Sequence, residues 1–208
     1  MLNRRLASLL AAVTVAGLAA TGCAEQSAAV RVDDATVSRS DFEDQLDAFY
    51  ENDALRDVLF PGVTREQLRA EGDPEGSYTQ QYVGSLAGVQ AQFLVIAQAL
   101  EDEGIELTDA DRDAIEDELD AALPGGYGSI PSGVADNLVE GLAGFERLYT
   151  ELGEEEFTVV VGDIFDRAEV DISSQYGSWD PEQFTVTPPS GPAPAPGTAG
   201  GMPELTPG

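Results

Sequence analysis

Tyr82, Leu86, Val89, Phe93, Ile96 and Leu100 recur at alternating spacings of four and three residues, and this run limits what the chain can fold into more than any other feature. The spacing puts all six side chains on one face of an α-helix. An apolar stripe more than two heptads long is stable in water only when other elements cover it. The repeats are too few for a coiled-coil seam, so the run predicts a central scaffold helix buried inside a helical domain. Gly104 supplies its C-terminal stop.

Shorter amphipathic segments surround it. Ser38 and Asp41 have the spacing of a capping box, with Val37 and Phe42 at hydrophobic-staple positions. The helix expected to follow carries Phe42, Leu46, Phe49, Tyr50, Ala54 and Val58 on one face and stops before Pro61. Gly72, Asp73-Pro74 and Gly76 predict a loop, with a short helix over 64–70. Thr108 and Asp111 make a second capping box ahead of Ile115, Leu119 and Leu123. Ser132 is expected to cap a helix with Val134, Leu138, Leu142, Phe145 and Tyr149 inward, closed at Gly153. Glu154, Glu155 and Glu156 then fall at the positive end of a last helix, whose Phe157, Val160, Val161, Ile164 and Phe165 read as buried.

Strand alternation occurs near the two ends of this helical stretch. Val30 and Val32 precede an Asp33-Asp34 turn, and Glu169-Val170-Asp171-Ile172 alternates again after the last helix. The two strands are expected to pair, and such a ribbon is stable only when packed on helices. The predicted fold class is therefore mainly α, with a small two-strand β element joining the N- and C-terminal ends of one domain over residues 30–187. A domain of about 150 residues buries roughly 70% of its unfolded surface, enough for an ordinary core. Residues 188–208 have the composition of a disordered or polyproline tail.

Ahead of the domain, Arg4 and Arg5 followed by the apolar run from Leu6 to Ala20 read as an export leader over residues 1–22. Ala20-Thr21-Gly22-Cys23 resembles a bacterial lipobox, which makes Cys23 the lipidation site and new N-terminus, 23–29 a tether, and the extracytoplasmic face of the cell membrane the location. No other segment is expected to span a bilayer. Cys23 is the single cysteine, so no internal disulfide can form and the core alone must stabilise the fold.

The formal net charge is −29, and lysine is absent. Nucleic acid is excluded as a partner because binding it requires a cationic face. An anionic membrane surface repels such a chain as well, leaving acyl chains to hold it. The absence of histidine removes Ser-His-Asp and Cys-His catalysis, imidazole metal sites and histidine switching. A carboxylate hydrolase remains formally open, and requires two acids facing one cleft. Asp109, Asp111, Asp113, Asp117 and Asp120 imitate the spacing of a calcium loop, but Ala114 stands where that loop needs glycine; an acidic first helical turn is the simpler reading. No enzyme activity, cofactor or metal is expected. Tyr50, Tyr78, Tyr82, Phe145 and Tyr149 either line a polypeptide-binding groove between helices or belong to the core, the commoner use of such spacings.

"VRVDDATVSRSDFEDQL", Val30 to Leu46, resembles the opening of the SurA N-terminal domain family of extracytoplasmic foldases. Val30, Val32, Asp33-Asp34, Val37, Ser38, Asp41 and Phe42 fill the family's strand, turn and capped-helix positions, with Asp34 in place of the usual turn glycine. "LEDEGIELTDADRDA" is similar to the family's hinge, and "VDISSQYGSWD" to the closing strand of actinobacterial lipoproteins in this group, with Ser174 and Gln175 in place of Pro-Arg. The resemblance implies a helical chaperone module that binds unfolded or exported polypeptides. The chain has no room for an inserted parvulin domain, so isomerase activity is not implied. A scaffold or partner subunit of one cell-envelope complex is the alternative.

Overall fold

The computed structural model describes residues 28–69, 78–181, 183 and 185–188. The expectations for the leader, for lipidation of Cys23, for the loop around Asp73-Pro74 and for the tail beyond Pro188 lie outside these residues. Within them the protein is mainly helical: α1 (Arg39–Glu51), α2 (Asp53–Leu59), α3 (Gln80–Glu103), α4 (Asp109–Ala122) and α5 (Ser132–Arg167) carry most of the chain. The strands are β1 (Ala28–Val32), β2 (Ala35–Ser38), β3 (Val170–Ile172), β4 (Ser178–Asp180) and β5 (Thr185–Thr187).

The two ends meet as expected. β1 pairs antiparallel with β3, placing Val30 opposite Ile172 and Val32 opposite Val170. The expected two-strand element is larger, however, because Ala35–Ser38 turns back on β1 to give a three-strand sheet in the order β2-β1-β3. The turn is made by Asp33, whose φ of 50° is left-handed, a conformation Asp tolerates when its side chain finds local partners. Its carboxylate accepts the Glu169 N–H at 2.8 Å and the Gln98 side-chain amide at 3.3 Å. One residue thus ties the hairpin to the residue leading into β3 and to α3. A second pair of strands, β4 and β5, forms a separate hairpin.

α3 is the scaffold. Thr79 caps its start, and Gly104, left-handed at φ 66°, ends it while Ile105 N–H bonds back to Leu100 at 2.8 Å. Its length and mean hydropathy of 1.5 would suffice to cross a membrane, contrary to expectation, yet 61% of that apolar window is buried inside the fold. α5, β1 and β5 all pack on it. A core helix satisfies the same test of length and composition.

Two helix boundaries and one cap differ from expectation. The first helix breaks at Asn52, whose extended backbone ends α1 and whose Oδ1 accepts the Leu55 N–H at 3.0 Å to start α2. Such a break strands carbonyls at the end of α1, and the buried Arg56 donates to two of them, Phe49 O and Tyr50 O, as well as to Val63 O in the loop after α2. Ser38 makes half of the expected box: its hydroxyl accepts the Asp41 N–H and donates to the Asp41 carboxylate. Pro131, rather than Ser132, occupies the cap position of α5, and Ser132 is its first helical residue. Thr108 and Asp111 do complete their box, and residues 109–120 lie within α4 rather than looping around a cation. Gly153 breaks α5 as expected, with φ 75° and ψ 170°.

Candidate functional site

The five aromatic residues singled out in the sequence separate into two groups. Tyr50, Tyr78 and Tyr82 belong to the first, where Tyr78 sits 5.6 Å from Tyr50 and 5.5 Å from Tyr82, centroid to centroid. Tyr78 and Tyr82 are 1% and 4% exposed, so they are core residues and offer little surface to a polypeptide. Their hydroxyls are committed internally: Tyr78 donates to Asp47, and Tyr82 to the Leu46 carbonyl at 3.0 Å. Burial is the main cause pushing both phenols above the ordinary tyrosine value. Tyr50, half-buried, lies beneath the guanidinium groups of Arg65 and Arg69, each about 4 Å from its ring centre. Arg69 is the main cause lowering its hydroxyl. Tyr82 also reaches a small pocket of about 130 Å³ with Phe60, Val63 and Leu68.

Phe145 and Tyr149 form the second group and correct the expectation that they point inward. They are 45% and 41% exposed. Phe157, from the far side of the Gly153 break, packs edge-on against both, at 5.0 and 5.5 Å, while the Phe145 and Tyr149 rings lie parallel with centroids 6.2 Å apart. The break is what brings them together, since it folds the second half of α5 so that its first aromatic meets two from the last turns of the first half. The face of α5 that is buried instead carries Ala135, Leu138, Gly141, Ala143, Gly144 and Leu148.

Beside this cluster opens a cleft of about 290 Å³ lined by Gln92 and Ile96 of α3 and by Phe145, Phe157, Val161 and Phe165 of α5. Phe165 in turn stacks on Trp179 of β4, with centroids 5.3 Å apart and the planes 17° from parallel. The volume is near the lower end of ordinary ligand pockets. No acid or base lines it, and the one hydroxyl at its wall, that of Thr158, donates to the Glu154 carbonyl at 2.8 Å, so the cleft suits apolar side chains. The carboxylates gather elsewhere: Asp102, Glu103 and Asp163 line an open depression of about 490 Å³ between the ends of α3 and α5, where Arg167 ion-pairs with Asp102. Among the described residues, no group of three or more His, Cys, Asp or Glu side chains could hold a metal ion.

Phe157, Val161 and Phe165 read as buried core from spacing rather than as site residues. Their signal is the glycine at 153 followed by three glutamates, which marks a helix restart and so a change of direction. Neither a protein-family model, nor a curated protein, nor a solved structure matches this chain. What fold and site define is a mainly helical protein with a small antiparallel sheet and an apolar, aromatic-rimmed cleft on its surface.

Proposed function

We propose that this chain is a membrane-anchored, extracytoplasmic, chaperone-like protein that binds unfolded or newly exported polypeptides at the cleft bordered by Phe145 and Phe157, without enzymatic or isomerase activity. The observation that carries the reading is the exposure of Phe145, which lines an apolar cleft with no acid or base in its lining, and of Tyr149 stacked beside it. Rigid aromatic rings at a rim give large contact area for little ordering cost. The resemblance of Val30 to Leu46 to extracytoplasmic foldases and the lipobox at Cys23 supply the class of client and the location. Four residues lie between Cys23 and the start of β1 at Ala28, a span of under about 20 Å, so lipidation at Cys23 would hold the module close to the bilayer. Exposed Glu154, Glu155 and Glu156 beside Phe157 keep the holder soluble and favour basic clients over acidic ones.

The test is suppression of aggregation of a chemically denatured protein by the chain lacking its leader, titrated in stoichiometry and salt. Delay of aggregation at near-equimolar ratio is expected, and Phe145→Ser combined with Phe157→Ser should weaken it by ~fivefold or more while leaving helical content unchanged. A folded, monomeric chain that leaves aggregation untouched would sink general holding. A single stoichiometric partner recovered from the cell envelope would then make it a scaffold subunit.

A further inference from the structure

The apolar cleft ends against the C-terminal hairpin, and the hairpin decides where the rest of the chain begins. Trp179 stacks on Phe165 at the cleft wall. Its cross-strand partner Val186 rests on Gly84 and Gly88 of α3, close enough that a Cβ at either glycine would touch it. Gly84, Gly88, Gln92 and Ile96 form one i, i+4 row along α3, and the last two line the cleft. The described chain stops at Pro188, two residues past Val186, so the tail leaves from one end of the row that leads into the cleft. From Gly88 to Ile96 is about 12 Å of helix, whereas the 20 residues 189–208 reach ~60 Å along a polyproline-II path. Length is no obstacle.

The tail also has suitable chemistry. Aromatic-lined grooves accept proline-rich segments because such backbones lose little entropy on binding and their rings stack on aromatic faces. Residues 189–208 contain Pro189, Pro192, Pro194, Pro196, Pro203 and Pro207, no base, and Glu204 as the single acid. In a chain of net charge −29, this nearly neutral segment meets little repulsion beside Glu154, Glu155 and Glu156.

We propose that residues 189–208 dock within their own chain onto the cleft between Phe145 and Phe165, with the Pro192 to Pro196 stretch against the aromatic rings. The protein thereby covers its own apolar surface, and any client must displace the tail. This goes beyond client binding, since the tail fills the cleft whether or not a client exists. For the test, the full chain is reconstituted in phospholipid vesicles with photo-crosslinking p-benzoylphenylalanine replacing Phe145, Val161 or, as a control on exposed α4, Glu118. Crosslinks from positions 145 and 161 should map to residues 189–208 of the same chain, well above the yield from 118. Replacing Pro192, Pro194 and Pro196 together by glycine should reduce them severalfold. Crosslinks joining two chains, equal tail yield from 118, or no tail crosslink from either cleft position would each overturn the proposal. If the tail fails and an added denatured polypeptide still crosslinks at 145, client binding stands and tail docking alone falls.

Discussion

Tyr78, Tyr82 and Tyr176 each bury a ring and commit the hydroxyl to an acceptor, respectively the Asp47 carboxylate, the Leu46 carbonyl and the Glu43 carboxylate. Burial is the first cause raising all three phenols above their ordinary value, with Asp47 and Glu43 adding to it at Tyr78 and Tyr176. The folded protein therefore holds these protons more tightly than the unfolded chain. The stability they confer is full below the ordinary tyrosine pKa near ~10 and is lost as pH rises above it. Urea unfolding in steps between about pH 8 and about pH 11 should show that decline, with the tyrosinate band of the buried rings appearing together with unfolding. Tyr78→Phe combined with Tyr82→Phe should flatten it. Ionisation of all tyrosines in a chain that stays folded would contradict the assignment. Arginine has a parallel internal role at this scale: Arg56 closes the Asn52 break, and Arg65 and Arg69 cover Tyr50. Planar guanidinium groups suit both tasks better than a lysine ammonium, which fits a chain without lysine.

Two glycines on α5 should respond to the same substitution with opposite sign. A Cβ on Gly141 would overlap the ring of Phe93, including its inner carbon, whereas one on Gly162 meets nothing within 4 Å. Gly141→Ala should cost about 1–3 kcal/mol through overpacking between α3 and α5, and Gly162→Ala should gain up to about 1 kcal/mol of helix propensity. Chemical denaturation of the two variants checks this, and a neutral Gly141→Ala would mean the α3–α5 contact is looser than described. The same small residues explain what the sequence left illegible. Periodicity of large apolar residues marked α3, both strands of the β1–β3 clasp, and the stops at Gly104 and Gly153. It misassigned Phe145 and Tyr149 because α5 approaches α3 on its small side, where Gly141 faces Phe93 and Gly144 faces Ile96 and Leu100. A pattern read from bulky residues cannot see a face built of glycine and alanine. The cleft was hidden for a related reason, as it exists only once the Gly153 break has turned Phe157 back on Phe145. The Asn52 break was obscured by apolar spacing that runs from Phe49 and Tyr50 through to Ala54 and Val58, although Asn is a favoured cap residue.

Across the whole molecule, the sheet binds the first described strand to the residues following the last helix, and β4 and β5 then carry Val186 back onto α3. Arg31–Asp171, Arg112–Glu140 and Arg167–Asp102 each bridge different elements, though exposed pairs contribute only ~0–1 kcal/mol apiece. Cohesion must come from the core that β1, β3 and the hairpin share with α3. If so, the C-terminal hairpin cannot melt before the helices. Trp179 is the single tryptophan and sits on that hairpin against Phe165, so its fluorescence reports the hairpin while far-ultraviolet circular dichroism reports the helices. The two thermal transitions should coincide, as two-state unfolding requires. Ile172→Ala removes a buried partner of Val30 and should lower both midpoints by the same amount, about 5–15 °C. A tryptophan transition well below the helical one would show the hairpin to be an appended unit. The tail would then leave from a mobile base rather than a fixed point beside the cleft, and the geometric reason for its docking there would be lost.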